Sequence, residues 1–334
     1  MDAAIAANLP LKEESLKPIH EWFTKTTITE KTATASELKA AAQAKLGSPI
    51  DFLKLLFSFK SEIKVSSERG SEKIRELRAN RGELLNKVNQ FLNEVRFALP
   101  IGKRLLLIVE DMDKLDIAKA TELFIKNSSL LAGVDATIIY TIPIFTFHSP
   151  EAGAMKAAFD NNAFALTMIK IIEADSNERA PGFEVVRRIV RRRIPQALLP
   201  DDALELAIEK TGGVLRHLFE VIHTAANMTN FTSETDPLTI ERIRYGLNKK
   251  IIEFSREIAV PYDGVANHPD LTVSQLYDRL AEHHKNRSST YKPETDAINQ
   301  ILLKCCALVE YNGTGWYGVH PLVVELLKQQ GRIN

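Results

Sequence analysis

Apolar residues along this chain fall into two textures, helical stripes and short unbroken runs. From about Ser71 to Leu99, Ile74, Leu77, Leu84, Leu85, Val88, Phe91, Leu92 and Val95 recur at helical spacing, and Pro100 with Gly102 stops the helix. The texture then changes. Leu105–Val109 is continuously apolar and bounded by charge, as expected of a strand covered on both faces. A helix is predicted over about 117–131, with Leu123, Phe124, Leu130 and Leu131 apolar. ATIIYTIPIF (Ala136–Phe145), rich in β-branched residues and closed by Pro143, predicts a second strand, and ALTMIKIIE (Ala165–Glu173) a third. Strands separated by helices imply crossover connections and a parallel sheet, hence an α/β fold.

Beyond this sheet the pattern is helical. Phe183 to about Met228 is interrupted only at Pro195, Pro200 and the Gly212-Gly213 pair, and a further helix runs from Leu238 to about Glu257. Leu271 to Leu327 predicts helix, helix, hairpin, helix. The hairpin turn falls at Asn312-Gly313 and Thr314-Gly315, between Leu308–Tyr311 and Trp316–Val319. Four segments follow: 1–100, mostly helical; 101–180, the α/β part; 181–260, helical; and 261–334, the hairpin unit.

Composition narrows the picture modestly. An apolar content of 45% in 334 residues supports a sizeable core, and 43 basic against 43 acidic residues leave no global pull toward nucleic acid or anionic membrane. The two cysteines, Cys305 and Cys306, are adjacent in a predicted helix and read as buried thiols of a reducing compartment. No apolar run approaches the roughly 20 residues of a membrane span, and the N-terminus lacks the pattern of a signal peptide, so a cytoplasmic location is expected.

Chemistry concentrates where the first strand ends, in LLLIVEDMDKLD (Leu105–Asp116). Carboxylates just beyond an interior parallel strand can hold Mg²⁺ and orient water for phosphoryl transfer, because ligands bind at that edge of such sheets. Glu110 and Asp111 are the natural pair, with Asp113 two residues on. The plainer alternative is that the aspartates end the strand and cap the next helix. The second strand ends at Tyr140 and Thr141, where a polar side chain could sense a γ-phosphate. A helix leading off from Gly212-Gly213 carries Arg216, a guanidinium suited to a triphosphate. A buried strand threonine and a solvated arginine are the corresponding structural alternatives.

The order and spacing of these pieces, from about Leu84 to Phe219, resemble the rear half of an AAA+-related P-loop ATPase of the STAND or origin-recognition/Cdc type. LLLIVEDMDKLD resembles the family's Walker B strand, ATIIYTIPIF its sensor 1 strand and TGGVLRHL its sensor 2 helix. The resemblance places Glu110 at the Mg²⁺-side acid, Asp111 at the catalytic acid, Thr141 near sensor 1 and Arg216 at sensor 2. Glu110 stands where the family usually has Asp. ATP and Mg²⁺ are the cofactors implied, and a conformational switch in signal transduction is the role implied.

No G-x-x-x-x-G-K-[ST] phosphate loop accompanies these residues. Gly102-Lys103 precedes the strand and lacks the first glycine. SSERGSEKI (Ser66–Ile74) places Ser67 and Glu72 where glycines must wrap the phosphates. The expected fold is therefore an incomplete P-loop NTPase sheet with a helical lid and a C-terminal winged-helix domain, with ATP hydrolysis weak or absent in this chain alone. A shortened chain is the first explanation, a repacked relative and a split protein the others. The partners left open are a separate front half, a second copy or another protein.

The hairpin unit resembles the winged helix often found behind such ATPase cores. A DNA-binding alternative would use Arg287, Lys292 and Lys304. Its candidate recognition helix, however, offers Glu294, Asp296, Asn299, Gln300 and only Lys304, and its wing offers Glu310 without a base. His283, His284 and Lys285 add some positive charge. A structural or protein-contact role is favoured on that balance. The densest basic run, RRIVRRR (Arg187–Arg193), spreads its arginines over more than one helix face, about an apolar stripe of Phe183, Val186, Val190 and Ile194. Such a run is a solvated face, or it contacts a nucleotide, a nucleic acid or an acidic neighbour. No histidine has metal-ligand spacing.

Overall fold

The structure, a computed structural model, describes residues 15, 17–19, 21–22, 81–176, 178–228, 236–259, 271–288, 296–311 and 317–334. Lys292, Glu294, the Ser66–Ile74 segment, the hairpin turn and the part of the long helix before Arg81 lie outside them. The chain is mixed helix and strand, and the described residues divide into two compact units. Residues up to Pro143 with Gly153–Asn161 form the first; Ile144–Ala152 with Asn162–Asn334 form the second.

In the first unit α1 (Arg81–Ala98) turns Leu84, Val88, Leu92 and Val95 inward, the stripe the sequence spacing predicts. Ile19 and Trp22 pack on it, together with Leu105, Leu107, Val134 and Ala136. β1 (Leu106–Val109) and β2 (Thr137–Tyr140) pair in parallel, Leu106 opposite Thr137 and Val109 opposite Tyr140. The crossover between them is helical: α2 (Ile117–Ala120), a π-turn (Thr121–Lys126) and α3 (Ser128–Ala132). Asp116 caps α2 by accepting from the Lys119 N–H, and Leu123, Phe124 and Leu131 are buried. Arg96 clamps the entry to β2 through an ion pair with Asp135 at 2.9 Å.

Two expectations about the sheet need correction. The Leu105–Val109 run predicts a strand covered on both faces, yet Leu106, Ile108 and Ile139 are 50, 52 and 51% exposed. Side chains alternate along a strand, so one face packs inward through Val109 while the other has no covering layer among the described residues. The predicted third strand, Ala165–Glu173, forms no ladder. It contributes one antiparallel bridge, Ile172 to Arg179, and a hydrogen bond from the Met168 N–H to the Glu310 carbonyl. Its period-2 alternation survives, with Leu166 96% exposed and Ile171 buried. Without a parallel neighbour to complete a ladder, the segment runs against helices of the second unit.

α4 (Ile144–Phe147), the first helix of the second unit, buries Phe145 and Phe147, and α5 (Ala152–Ala158), nearly all of it in the first unit, buries Met155. The second unit continues with α6 (Gly182–Arg191), α7 (Asp201–Thr211), α8 (Leu215–Ala226) and α9 (Ile240–Glu257), the helices the sequence breaks predict. Between α7 and α8 the chain turns through Gly212 (φ +64°) and Gly213 (φ +81°). A Cβ on Gly212 would lie 2.6 Å from Pro321 Cδ, and one on Gly213 would collide with the Ile169 carbonyl. Both conformation and space require glycine here.

α10 (Val273–Lys285) opens with a capping box between Thr272 and Gln275, and α11 (Ala297–Lys304) is capped by Asp296. β3 (Leu308–Glu310) and β4 (Tyr317–Val319) form the predicted antiparallel hairpin, and α12 (Pro321–Gln329) closes the chain. Cys305 and Cys306 follow α11 instead of lying within it, Cys306 at φ +56°. Both are free thiols, and burial raises the Cys305 thiol to about 12.

Candidate functional site

The sequence places three chemically interesting residues after two strand ends and a fourth on a helix, and the structure brings the first three to one edge. β1 ends at Val109, leaving Glu110 exposed. Asp111 then adopts the left-handed conformation (φ 65°, ψ 2°), which aspartate tolerates better than most residues. This reversal starts the single turn Met112–Lys114, buries Met112 and leaves the Asp111 carboxylate at the surface, paired with Lys114 Nζ at 2.5 Å.

Thr141 fastens the two strand ends together. Its N–H donates to the Val109 carbonyl at 3.0 Å, extending the ladder by one residue. Its Oγ1 accepts from the Met112 N–H at 3.2 Å. The hydroxyl proton has two acceptors in reach, Asp113 Oδ1 at 3.3 Å and the Val109 carbonyl at 3.4 Å. Thr141 therefore stands beside the acid cluster at the carboxyl edge of the parallel pair, the side of such sheets where ligands bind. Behind it the Tyr140 hydroxyl donates to the Leu131 carbonyl, and burial holds its pKa up at about 12.

The edge is chemically suited to a hard dication. Mg²⁺ takes oxygen ligands, commonly one or two carboxylates completed by water and phosphate, and Glu110, Asp111, Asp113 and Thr141 offer only oxygen. Among the described residues no three His, Cys, Asp or Glu side chains form a ready-made metal cage. The phosphate cradle is missing from the sequence itself.

Arg216, the fourth residue, is the second residue of α8 and is exposed, within the second unit. Its neighbour His217 carries a feature the sequence does not announce. His217 is buried and its Nδ1 lies 3.1 Å from Nε2 of buried His320. His320 Nδ1 accepts from the Leu322 N–H and so caps α12, with Pro321 in the first turn. The proton order follows from this. His320 carries its hydrogen on Nε2 and donates to His217 Nδ1, so both rings are neutral. Burial lowers the His217 pKa to about 4 and that of His320 well below the ordinary value. Phe254 packs on both rings, at centroid distances of 5.4 and 4.8 Å. The only sequence signal is His-Pro at a helix start; the partner 103 residues away has none.

The same junction holds Lys250 between Glu220 at 2.9 Å and Glu253 at 3.1 Å. Burial alone would pull this lysine down, but the two acids outweigh it and hold its pKa up. Tyr311 donates to the Gly212 carbonyl at 2.9 Å, and Lys210 pairs with Glu325. These contacts bind α7, α8 and α9 to α12 and the hairpin.

The DNA-binding alternative fares differently residue by residue. Arg287 spends its Nη2 on the Glu173 carbonyl at 2.8 Å. His283 is buried against Asn299 at 2.8 Å, which removes both from the surface, and burial lowers the pKa of His283 and His284. Glu310, expected on the wing, is buried with its Oε1 3.8 Å from His148 Nε2. Lys304 is exposed at the end of α11.

No family model, no curated protein and no solved structure matches the chain.

Proposed function

We propose that this chain carries the metal-facing part of a nucleotide-dependent switch of the STAND or origin-recognition/Cdc ATPase type. In this reading β1 and β2 are the Walker B and sensor 1 strands of an incomplete P-loop sheet, α6–α9 a lid, and the hairpin unit a winged helix. The hydrogen-bonded placement of Thr141 between Val109, Met112 and Asp113 supports it most, because it sets a hydroxyl beside the acids.

Glu110 and Asp111 would hold Mg²⁺ through their carboxylates. The ion would supply positive charge against the phosphates' negative charge. Asp111, exposed and held in a left-handed turn, orients an attacking water and takes its proton. Thr141 ties the position of that turn to whatever sits at the strand edge. Arg216 is the residue for the phosphate side. With no glycine loop to surround the phosphates, most ground-state binding is lost, so hydrolysis by this chain alone is weak or absent.

Titration calorimetry with Mg-ATP is expected to show no saturable binding in the micromolar range; micromolar binding contradicts the incomplete-site reading. Mn²⁺ with tripolyphosphate tests the metal edge directly. Water-proton relaxation enhancement is expected with the native chain and not with Asp111→Asn, and equal enhancement in both removes the acids from the proposal.

A further inference from the structure

The five arginines between positions 187 and 193 separate into two sets. Arg187 bonds Glu205 at 2.5 Å and lies 3.5 Å from Asp201, with Glu184 at 3.7 Å. Arg191 binds Asp201 at 2.6 Å and the Leu199 carbonyl at 2.8 Å. Both face the acidic start of α7, and Arg179 completes that network through Glu205 and Glu209. This half of the run is internal scaffolding.

Arg188, Arg192 and Arg193 are exposed, and among the described residues none pairs with an acid. Arg188 and Arg192 are one helical turn apart, so two like charges share a face at a small cost in helix stability. Arg193 follows the helix, its Nη1 on the Ile189 carbonyl at 3.1 Å and its guanidinium 5.8 Å from the Phe219 ring of α8. Three uncompensated guanidiniums thus project from one short stretch of a chain with zero net charge.

The surface between them decides the kind of partner. Protein interfaces draw their energy from a desolvated apolar or aromatic centre. On α6 itself the exposed side offers Val185, 37% exposed, and the partly buried Ile189. Nucleic-acid contacts are made instead by forked cations reaching phosphate oxygens, without an apolar centre. We propose that the outward side of α6, through Arg188, Arg192 and Arg193, binds the phosphate backbone of a nucleic acid. The site is distinct from the hairpin unit, where Arg287 is engaged by the Glu173 carbonyl and Lys304 stands exposed at the end of α11. It is also independent of Glu110, Asp111 and Thr141, and recognition through backbone phosphates is insensitive to sequence.

The test uses the full chain and fluorescence anisotropy with a labelled single-stranded DNA, its duplex and an RNA of equal length. Three phosphate contacts predict a log–log salt slope of about −2 on single strands, or a loss of roughly 20-fold between about 50 and 200 mM salt. Arg188→Ala with Arg192→Ala should reduce the slope to about −0.7. Both side chains are exposed and their mutual repulsion is lost, so the urea midpoint should not fall; Arg188→Lys with Arg192→Lys, which keeps the charge, should retain the slope. Asp111→Asn should bind as the native chain does, which separates this proposal from the nucleotide reading. Absence of saturable binding to all three nucleic acids overturns it, as does equal binding by the double-alanine variant. Preference for polyglutamate would assign the face to an acidic protein and overturn it as well.

Discussion

The acid edge of the first unit and the histidine junction of the second are both polar, and their surroundings differ in every respect that matters for chemistry. At the junction His217, His320, Lys250 and Tyr311 are buried or partly buried, hydrogen-bonded or ion-paired, and packed on Phe254. Low dielectric makes such contacts strong and a vacancy costly, so the network specifies one arrangement of α8, α9 and α12. At the edge, Glu110 and Asp111 stand in water, Asp111 in a conformation few residues adopt, beside a sheet with one uncovered apolar face. Exposed carboxylates can exchange solvent for a ligand. The dry cluster is architecture, and the wet one is where chemistry can occur.

The sharpest way to break the contrast is Phe254→Ala. Phe254 is fully buried against both imidazoles, so truncation should cost about 3–5 kcal/mol in urea unfolding. Ile108→Ala on the open sheet face should cost far less, because half of that side chain is already in water. Equal losses at the two positions would mean that the sheet face is covered after all.

Acid should act next most strongly, and through the junction. His217 titrates at about 4 when folded against 6.5 when free, and His320 is also lowered. Between those values the unfolded chain binds more protons, so stability present above pH 6.5 falls toward pH 4, at up to about 1.4 kcal/mol per pH unit for each imidazole. Lys250 and Arg216 act in the same direction on His217, and Glu253 opposes them. Urea midpoints measured from pH 7.5 to 4.5 should show the loss. His217→Asn with His320→Asn should flatten it even if the variant is less stable throughout. An unchanged slope would place the acid sensitivity elsewhere.

Thr141→Val should have the smallest effect, about 1 kcal/mol, because it removes hydroxyl bonds at a partly solvated strand end while keeping the ladder bond from its N–H. Its sharper readout is Mn²⁺ relaxation. A hydroxyl that positions the Met112 turn should weaken metal binding when lost, whereas a merely structural threonine should leave it unchanged.

Much of this was legible in the sequence because it depends on neighbours in the chain. Apolar spacing marks α1 and α6–α9, the Gly212-Gly213 pair marks a turn that only glycine can make, and the unbroken runs mark β1 and β2. The acids and Thr141 could be assigned to strand ends for the same reason. Alternation in Ala165–Glu173 was equally visible, but a strand also needs a partner at the right distance, and no local pattern reports whether one exists.

Local propensity and periodicity therefore determined the helices, the two paired strands, the hairpin and the residues that follow each strand, but not the fate of Ala165–Glu173. Tertiary structure decided what those residues meet. It split one arginine run into a neutralised half and an exposed half, turned Asn299, His283 and Glu310 inward, and joined His217 to His320 across 103 positions. Burial and charge compensation depend on elements far apart in the chain, and only packing brings them together.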